Sequence, residues 1–178
     1  MIRKIHGIEY ELTRKNVKNI NLRVTRGKIK VSAGNGIPAS YIDAFVASKA
    51  EFIKKAAERA ESRIPVPVPN ITDNEALMYF TDITRRIYPR FSRFGFPFPS
   101  IKVRLMKSQW GNCRRANGLI TYNKYLCSLP DRLAEFVAAH ELSHMVISGH
   151  SAEFYAVLDE AMPDHRARRA ELSQYSIK

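Results

Sequence analysis

Apolar residues recur at every second position near the N-terminus. Ile8, Tyr10 and Leu12 share one face, Ile20, Leu22 and Val24 repeat the pattern, and "KIKVSA" continues it after "TRG". Period-two alternation with a glycine-containing break predicts three strands in an antiparallel meander. From Pro38 the spacing changes to three and four: Ile42, Phe45 and Val46, then Phe52, Ile53 and Ala57, predict a helix to about Arg63 with its stripe interrupted at Lys49. "IPVPVPN", residues 64–70, alternates three prolines, which excludes helix and favours an extended linker. These features divide the chain into an N-terminal meander and helix (1–63), a Pro-rich linker (64–70) and a second domain (71–178).

In the second domain Thr72 or Asp73 is positioned to cap a helix whose apolar stripe runs through Leu77, Phe80, Ile83 and Ile87. "SIKVRLM" and "GLITYNKYL" (118–126) read as strands, with "KSQWGNCRRAN" as the turn region between them. Pro130 and Asp131 suit a helix start, and Leu133, Phe136, Val137, His140 and His144 continue at helical steps. Ser151 would cap a further helix, "SAEFYAVLDEAM", with Phe154, Val157, Leu158 and Met162 on its core face. The expected class is α+β.

Composition adds boundaries to this pattern. No run of eighteen apolar residues appears, which excludes a membrane-spanning helix, and the first residues lack a signal-like apolar stretch. Two cysteines, Cys113 and Cys127, fit a reducing compartment, so the expectation is a cytoplasmic protein. The net charge of +12 is uneven: residues 130–164 carry −6, and the remainder +18. A basic surface of that size is a candidate for attracting nucleic acid, although no aromatic–basic or helix-turn-helix signature accompanies it.

The acidic stretch holds "HELSHMVISGH", with three of the five histidines. On a helix, His140 and His144 lie about 40° apart around the axis and about 6 Å apart along it, so both imidazoles can face one ion. Glu141, about 100° round from His140, can reach a water on that ion without ligating it. This is the set required by zinc hydrolysis: protein ligands, one open position, and a carboxylate to carry the proton. His150, six residues after His144, is one candidate third ligand. The HExxHxxGxxH pattern has glycine where this chain has Ile147, but Gly149 offers an alternative place to turn; Glu153, Glu160 and His165 are the other candidates. Histidines in line with a buried stripe would cost several kcal/mol if unpartnered, on the order seen for buried polar groups, and ligation removes that cost.

"SQWGNC" (108–113), "GLITYNKYL", "HELSH", then "HSAEF" and "PD" resemble the YgjP-like zinc metallopeptidase family, itself similar to SprT-like and WLM-type proteases. The resemblance covers roughly residues 100–165, and residues 1–63 also resemble that family's N-terminal part. It implies a zincin-like catalytic domain with a small sheet beside the HExxH helix and one catalytic zinc ion held by His140, His144 and His150. It also implies Glu141 as acid/base and a protein or peptide as substrate. The chain departs from the family pattern at Gly149 (usually Asn), Tyr155 (usually Trp) and His165 (commonly Tyr).

Around that centre, Trp110 is a candidate cleft wall, and Tyr122 and Tyr155 are candidate oxyanion donors; plain packing is the competing reading for each. Cys113 and Met162 read as packing residues. Either "WGNC" or "GLITYNKYL" would pair with a substrate strand. Two other functions fit the same residues: a protease acting on DNA-bound proteins, and a metal-bound interaction module without turnover.

Overall fold

The computed structural model describes residues 1–25 and 28–177 and is a mixed α+β structure, with two compact units, Met1–Arg63 and Ile64–Lys178. In the first, β1 (Ile2–Ile5) and β2 (Ile8–Lys15) form a hairpin through His6 and Gly7. Both turn residues have positive φ (46° and 80°), the conformation a two-residue hairpin loop needs. β3 (Asn21–Thr25) and β4 (Lys28–Gly34) follow. Of the expected "TRG" break, Arg26 and Gly27 lie outside the described residues.

The strand order β1-β2-β4-β3 corrects the expected meander: among the described residues of this unit there are four strands, and β2 runs parallel to β4. Alternation reports which face a residue occupies and is silent on which strand lies next to which. The central place falls to β4, whose Val31, Ala33 and Gly34 are buried. A Cβ on Gly34 would stand 2.5 Å from the Val17 carbonyl oxygen, so the connection leaving β2 passes where only glycine leaves room.

α1 (Ala39–Ser48) and α2 (Ala50–Glu61) replace the single expected helix, and the break falls at Lys49, where the apolar stripe is interrupted. Ile42, Val46 and Ile53 are buried with Tyr10, Leu12, Val31 and Ala33. Asp43 ties the helix to the sheet, accepting from Arg3 at 2.6 and 3.1 Å and from the Tyr10 hydroxyl at 2.7 Å.

In the second unit, the stretch expected as a linker begins with a strand. β5 (Ile64–Val66) pairs in parallel with the last strand, β9 (Tyr175–Ile177), and Pro65 is tolerated because this two-stranded sheet has only edges. α3 (Asp73–Ile87) starts from a Thr72–Glu75 capping box and buries Ala76, Phe80, Ile83 and Ile87; Leu77 is exposed. β6 (Ser100–Arg104), β7 (Gly111–Arg114) and β8 (Leu119–Asn123) form a sheet of order β6-β8-β7, with β6 parallel and β7 antiparallel to β8. β7 lies inside the stretch read as the turn region, at the "WGNC" segment that was one of two candidates for a substrate-pairing strand. Buried Asn123 fixes the approach to it, donating to the Met106 and Gln109 carbonyls at 2.9 and 2.8 Å.

α4 (Asp131–Val146) is buried on almost every side, through Leu133, Ala134, Phe136, Val137, Ala138, Ala139, Leu142 and Met145. It packs against α3, β7 and the two helices that follow, α5 (Ala152–Ala161) and α6 (His165–Leu172). Phe154, Val157, Leu158 and Met162 are buried as expected, and Ser151 occupies the N-cap position without a side-chain capping bond to the backbone. Among the described residues no helix is long and apolar enough to cross a membrane.

Candidate active site

α4 carries His140, Glu141 and His144 on its last two turns, held in register by the packing on every side of the helix. After Val146 the chain turns extended at Ile147, then reverses at Gly149 with φ 80°. That left-handed residue is what a helix exit of this kind favours. It returns His150 to the face of α4, where the Nε2 atoms of His150 and His140 stand 3.1 Å apart. One ligand atom from each of His140, His144 and His150 lies within 4.8 Å of the others.

Phe154 of α5 backs the cluster, its ring centroid 5.0, 4.5 and 4.9 Å from those of His140, His144 and His150. His144 Nδ1 lies 3.3 Å from the Ile147 carbonyl oxygen. A carbonyl only accepts, so this contact places the proton on Nδ1 and leaves the Nε2 lone pair free. Burial, then the neighbouring His144 and His150, push the His140 imidazole down to about 3; burial also lowers His144. Both rings are held neutral, the form that ligates a cation.

Glu141 is 5% exposed, and burial pushes its carboxyl up to about 8 against the opposing hydrogen bond from the Cys113 backbone. It fits beside β7 because position 111 is glycine: a Cβ there would stand 2.5 Å from Glu141 Oε1 and 2.8 Å from Val137 Cγ1. The three histidines and Glu141 line a cleft of about 360 Å³ together with Gln109, Asn112, Arg115 and Ser148. β7 forms one wall. Asn123 N–H donates to the Trp110 carbonyl at 2.8 Å, and in the antiparallel register the next bonded pairs are Asn112–Thr121 and Arg114–Leu119. The main-chain polar groups of Gly111 and Cys113 therefore face away from β8, on the side where the Cys113 backbone bonds the Glu141 carboxylate. β8 has strands on both sides.

Of the other expected site residues, Tyr122 and Trp110 pack with the core and Tyr155 borders His150. Tyr122 is fully buried, its hydroxyl 2.9 Å from Thr84 Oγ1 and its ring stacked on Phe80 at 4.6 Å, so it is a core residue rather than a wall or an oxyanion donor. Trp110 is half-buried against the same core. The Tyr155 ring lies 6.4 Å from His150, and its hydroxyl accepts from Arg169 at 3.2 Å. Among the alternative third ligands, Glu153 is exposed, Glu160 pairs with Arg93, and His165 is buried against Asp159 at 2.9 Å. Cys113 lines the cleft with its thiol 3.4 Å from the Met145 sulfur, and Met162 is core. Gly111 and Phe154 are the contributions that sequence reasoning missed. The glycine inside "WGNC" was the available signal for the first, and Phe154 read simply as a core position.

Comparison with known proteins gives this cluster a context. The model of the YgjP-like metallopeptidase domain matches residues 68–175, the family anticipated from "SQWGNC", "HELSH" and "HSAEF". No curated protein matches the chain. Among solved structures, the metallopeptidase zymogen abylysin of Pyrococcus abyssi is similar at 17% identity, over 56% of this chain and 99% of that one, with a TM-score of 0.49. The zymogen jannalysin of Methanocaldococcus jannaschii is similar at 19% identity, over 53% and 94% of the two chains, with a TM-score of 0.46. With the family model matched over most of its length, the chain belongs to the YgjP-like metallopeptidase family.

Proposed function

We propose that this protein is a zinc-dependent peptidase, with His140, His144 and His150 as the metal ligands and Glu141 as general base and acid. The observation that carries the reading is the convergence of three imidazoles beside a buried carboxylate in an open cleft. The donor set fits the ion: two nitrogens about 2.0–2.1 Å from a tetrahedral zinc lie about 3.3 Å from one another. The two Nε2 atoms of His140 and His150 are separated by 3.1 Å. All-nitrogen ligation with neutral rings suits zinc among the common divalent ions.

Zinc bound there would supply a water with a pKa lowered to about 7 and polarise the scissile carbonyl. The rest falls to the chain. Glu141 is buried beside the histidines, where a bound cation would favour its carboxylate form; it takes the proton of the attacking water and passes it to the leaving amine. The edge of β7 turned away from β8 receives the substrate backbone as an added strand, through the Gly111 main chain and the Cys113 carbonyl, the Cys113 N–H being bonded to Glu141. Gly111 has a double role, since the carboxylate can occupy its position only where no Cβ exists.

The test is hydrolysis of an unstructured protein or peptide mixture by the wild type and by Glu141→Gln, with zinc content measured on both. The reading predicts that Glu141→Gln keeps its zinc and loses about 10²–10⁴-fold in rate, the size of a general acid–base contribution. Equal activity of the two proteins, or a folded wild type that takes up no zinc, would end it.

A further inference from the structure

A second groove of about 550 Å³ has Phe94, Phe96, Pro97 and Met145 in its wall. Arg115 borders both this groove and the histidine-lined cleft. It follows β7 directly, two residues beyond Cys113, which is about 7 Å along an extended chain. Its side chain is exposed, and among the described residues no carboxylate pairs with it. Arg114 beside it is likewise exposed and unpaired among the described residues but lines neither groove, whereas Arg93 lies over the Phe94 ring at 4.6 Å and pairs with Glu160, and Arg90 donates to the Ala161 carbonyl at 2.9 Å. Burial and the charge of Glu141 push the Cys113 thiol up to about 11, and Arg115 pulls it the other way, so the guanidinium charge is felt inside the catalytic cleft.

An unpaired guanidinium beside a groove with an aromatic wall, at the end of a strand that offers part of its edge to an extended chain, has the chemistry of a side-chain subsite. Building on the peptidase reading above, we infer that Arg115 selects substrates bearing a carboxylate within about two residues of the scissile bond, with the adjoining apolar part of the peptide lying in the Phe94–Phe96 groove. The carboxylate has two sources, an aspartate or glutamate side chain or the free C-terminus of the peptide. The first would make the protein an endopeptidase with acidic preference, the second a carboxypeptidase.

Fluorescent peptides in matched pairs separate these cases: glutamate against glutamine at each position around a fixed centre, and free against amidated C-termini. Affinity is read by anisotropy on zinc-loaded Glu141→Gln protein, so that binding is measured without turnover, and again after adding Arg115→Gln or, as a control, Arg114→Gln. The expected result is on the order of tenfold tighter binding of the carboxylate member of one pair, the worth of a hydrogen bond to a charged group. That preference disappears with Arg115→Gln and survives Arg114→Gln. The pair that shows it identifies the source of the carboxylate. Equal affinity within every pair, a preference that survives Arg115→Gln, or no binding at millimolar peptide overturns the inference. Cleavage by the Glu141 protein is scored separately: a charge preference in binding without hydrolysis leaves Arg115 assigned and removes the peptidase reading, and hydrolysis without charge preference does the reverse.

Discussion

Glycine at position 111 decides where the Glu141 carboxylate can be. A methyl group there would meet Oε1 at 2.5 Å and the Val137 methyl at 2.8 Å, and both neighbours belong to a helix packed on most sides. Gly111→Ala must therefore push the carboxylate out of place, at a cost of about 1–3 kcal/mol for overpacking. Because an error of about 1 Å in a reacting group can cost 10²-fold, hydrolysis should fall by about that factor while zinc stoichiometry stays at the wild-type value. Kinetics beside metal analysis checks this, and an unchanged rate would show that Glu141 is not held by this contact. The same comparison shows why some residues were legible and others were not. His140 and His144 stand four apart on a clear apolar stripe, so their shared face follows from helix geometry alone. Tyr122 also sits in a well-marked strand, but alternation does not say whether a buried tyrosine faces a cleft or a neighbouring helix; Thr84 and Phe80, remote in sequence, settle that.

His150 depends on a turn rather than on a period. The chain reaches it through Gly149 at φ 80°, with open space around the missing Cβ, so the cost of a side chain there is conformational rather than steric. Gly149→Ala should cost about 1–2 kcal/mol in the left-handed region and weaken zinc binding by about tenfold. Gly149→Asn, which tolerates that conformation, should cost much less. Competition with a chelating dye measures both; equal losses for the two variants would mean that the turn conformation does not position the ligand. This dependence explains why spacing alone left Glu153, Glu160 and His165 in contention with His150. β7 was legible only as the "WGNC" candidate beside "GLITYNKYL", because a four-residue edge strand without alternation has no period to mark it. The break between α1 and α2, by contrast, was written in the stripe itself, which lapses at Lys49.

Across the chain the excess of basic residues remains, although some are held by acids. Among these are Arg3, Arg86, Arg132, Arg166, Arg168 and Lys124. In the unit Met1–Arg63 the link between sheet and helix is the Asp43 cluster, where Arg3 first and the Tyr10 hydroxyl second hold the Asp43 carboxyl below its usual range. A carboxyl lowered on folding adds stability above its unfolded value, about 3.9, and loses it as pH falls through the folded one. Denaturant titrations between pH 5 and 2 should therefore show a shallower acid loss for Asp43→Asn than for the wild type, although the variant is weaker at neutral pH. Parallel pH profiles would remove the cluster from the account. In the unit Ile64–Lys178 the fold is arranged so that α4, the Gly149 turn and Phe154 bring three imidazoles to one point. Diffraction from crystals grown with zinc, recorded on both sides of the zinc absorption edge, tests that arrangement most directly. It should show one anomalous peak per chain, about 2.0–2.1 Å from a nitrogen of each of His140, His144 and His150, with a fourth position open to water. A peak elsewhere, or none with the three rings turned apart, would contradict it.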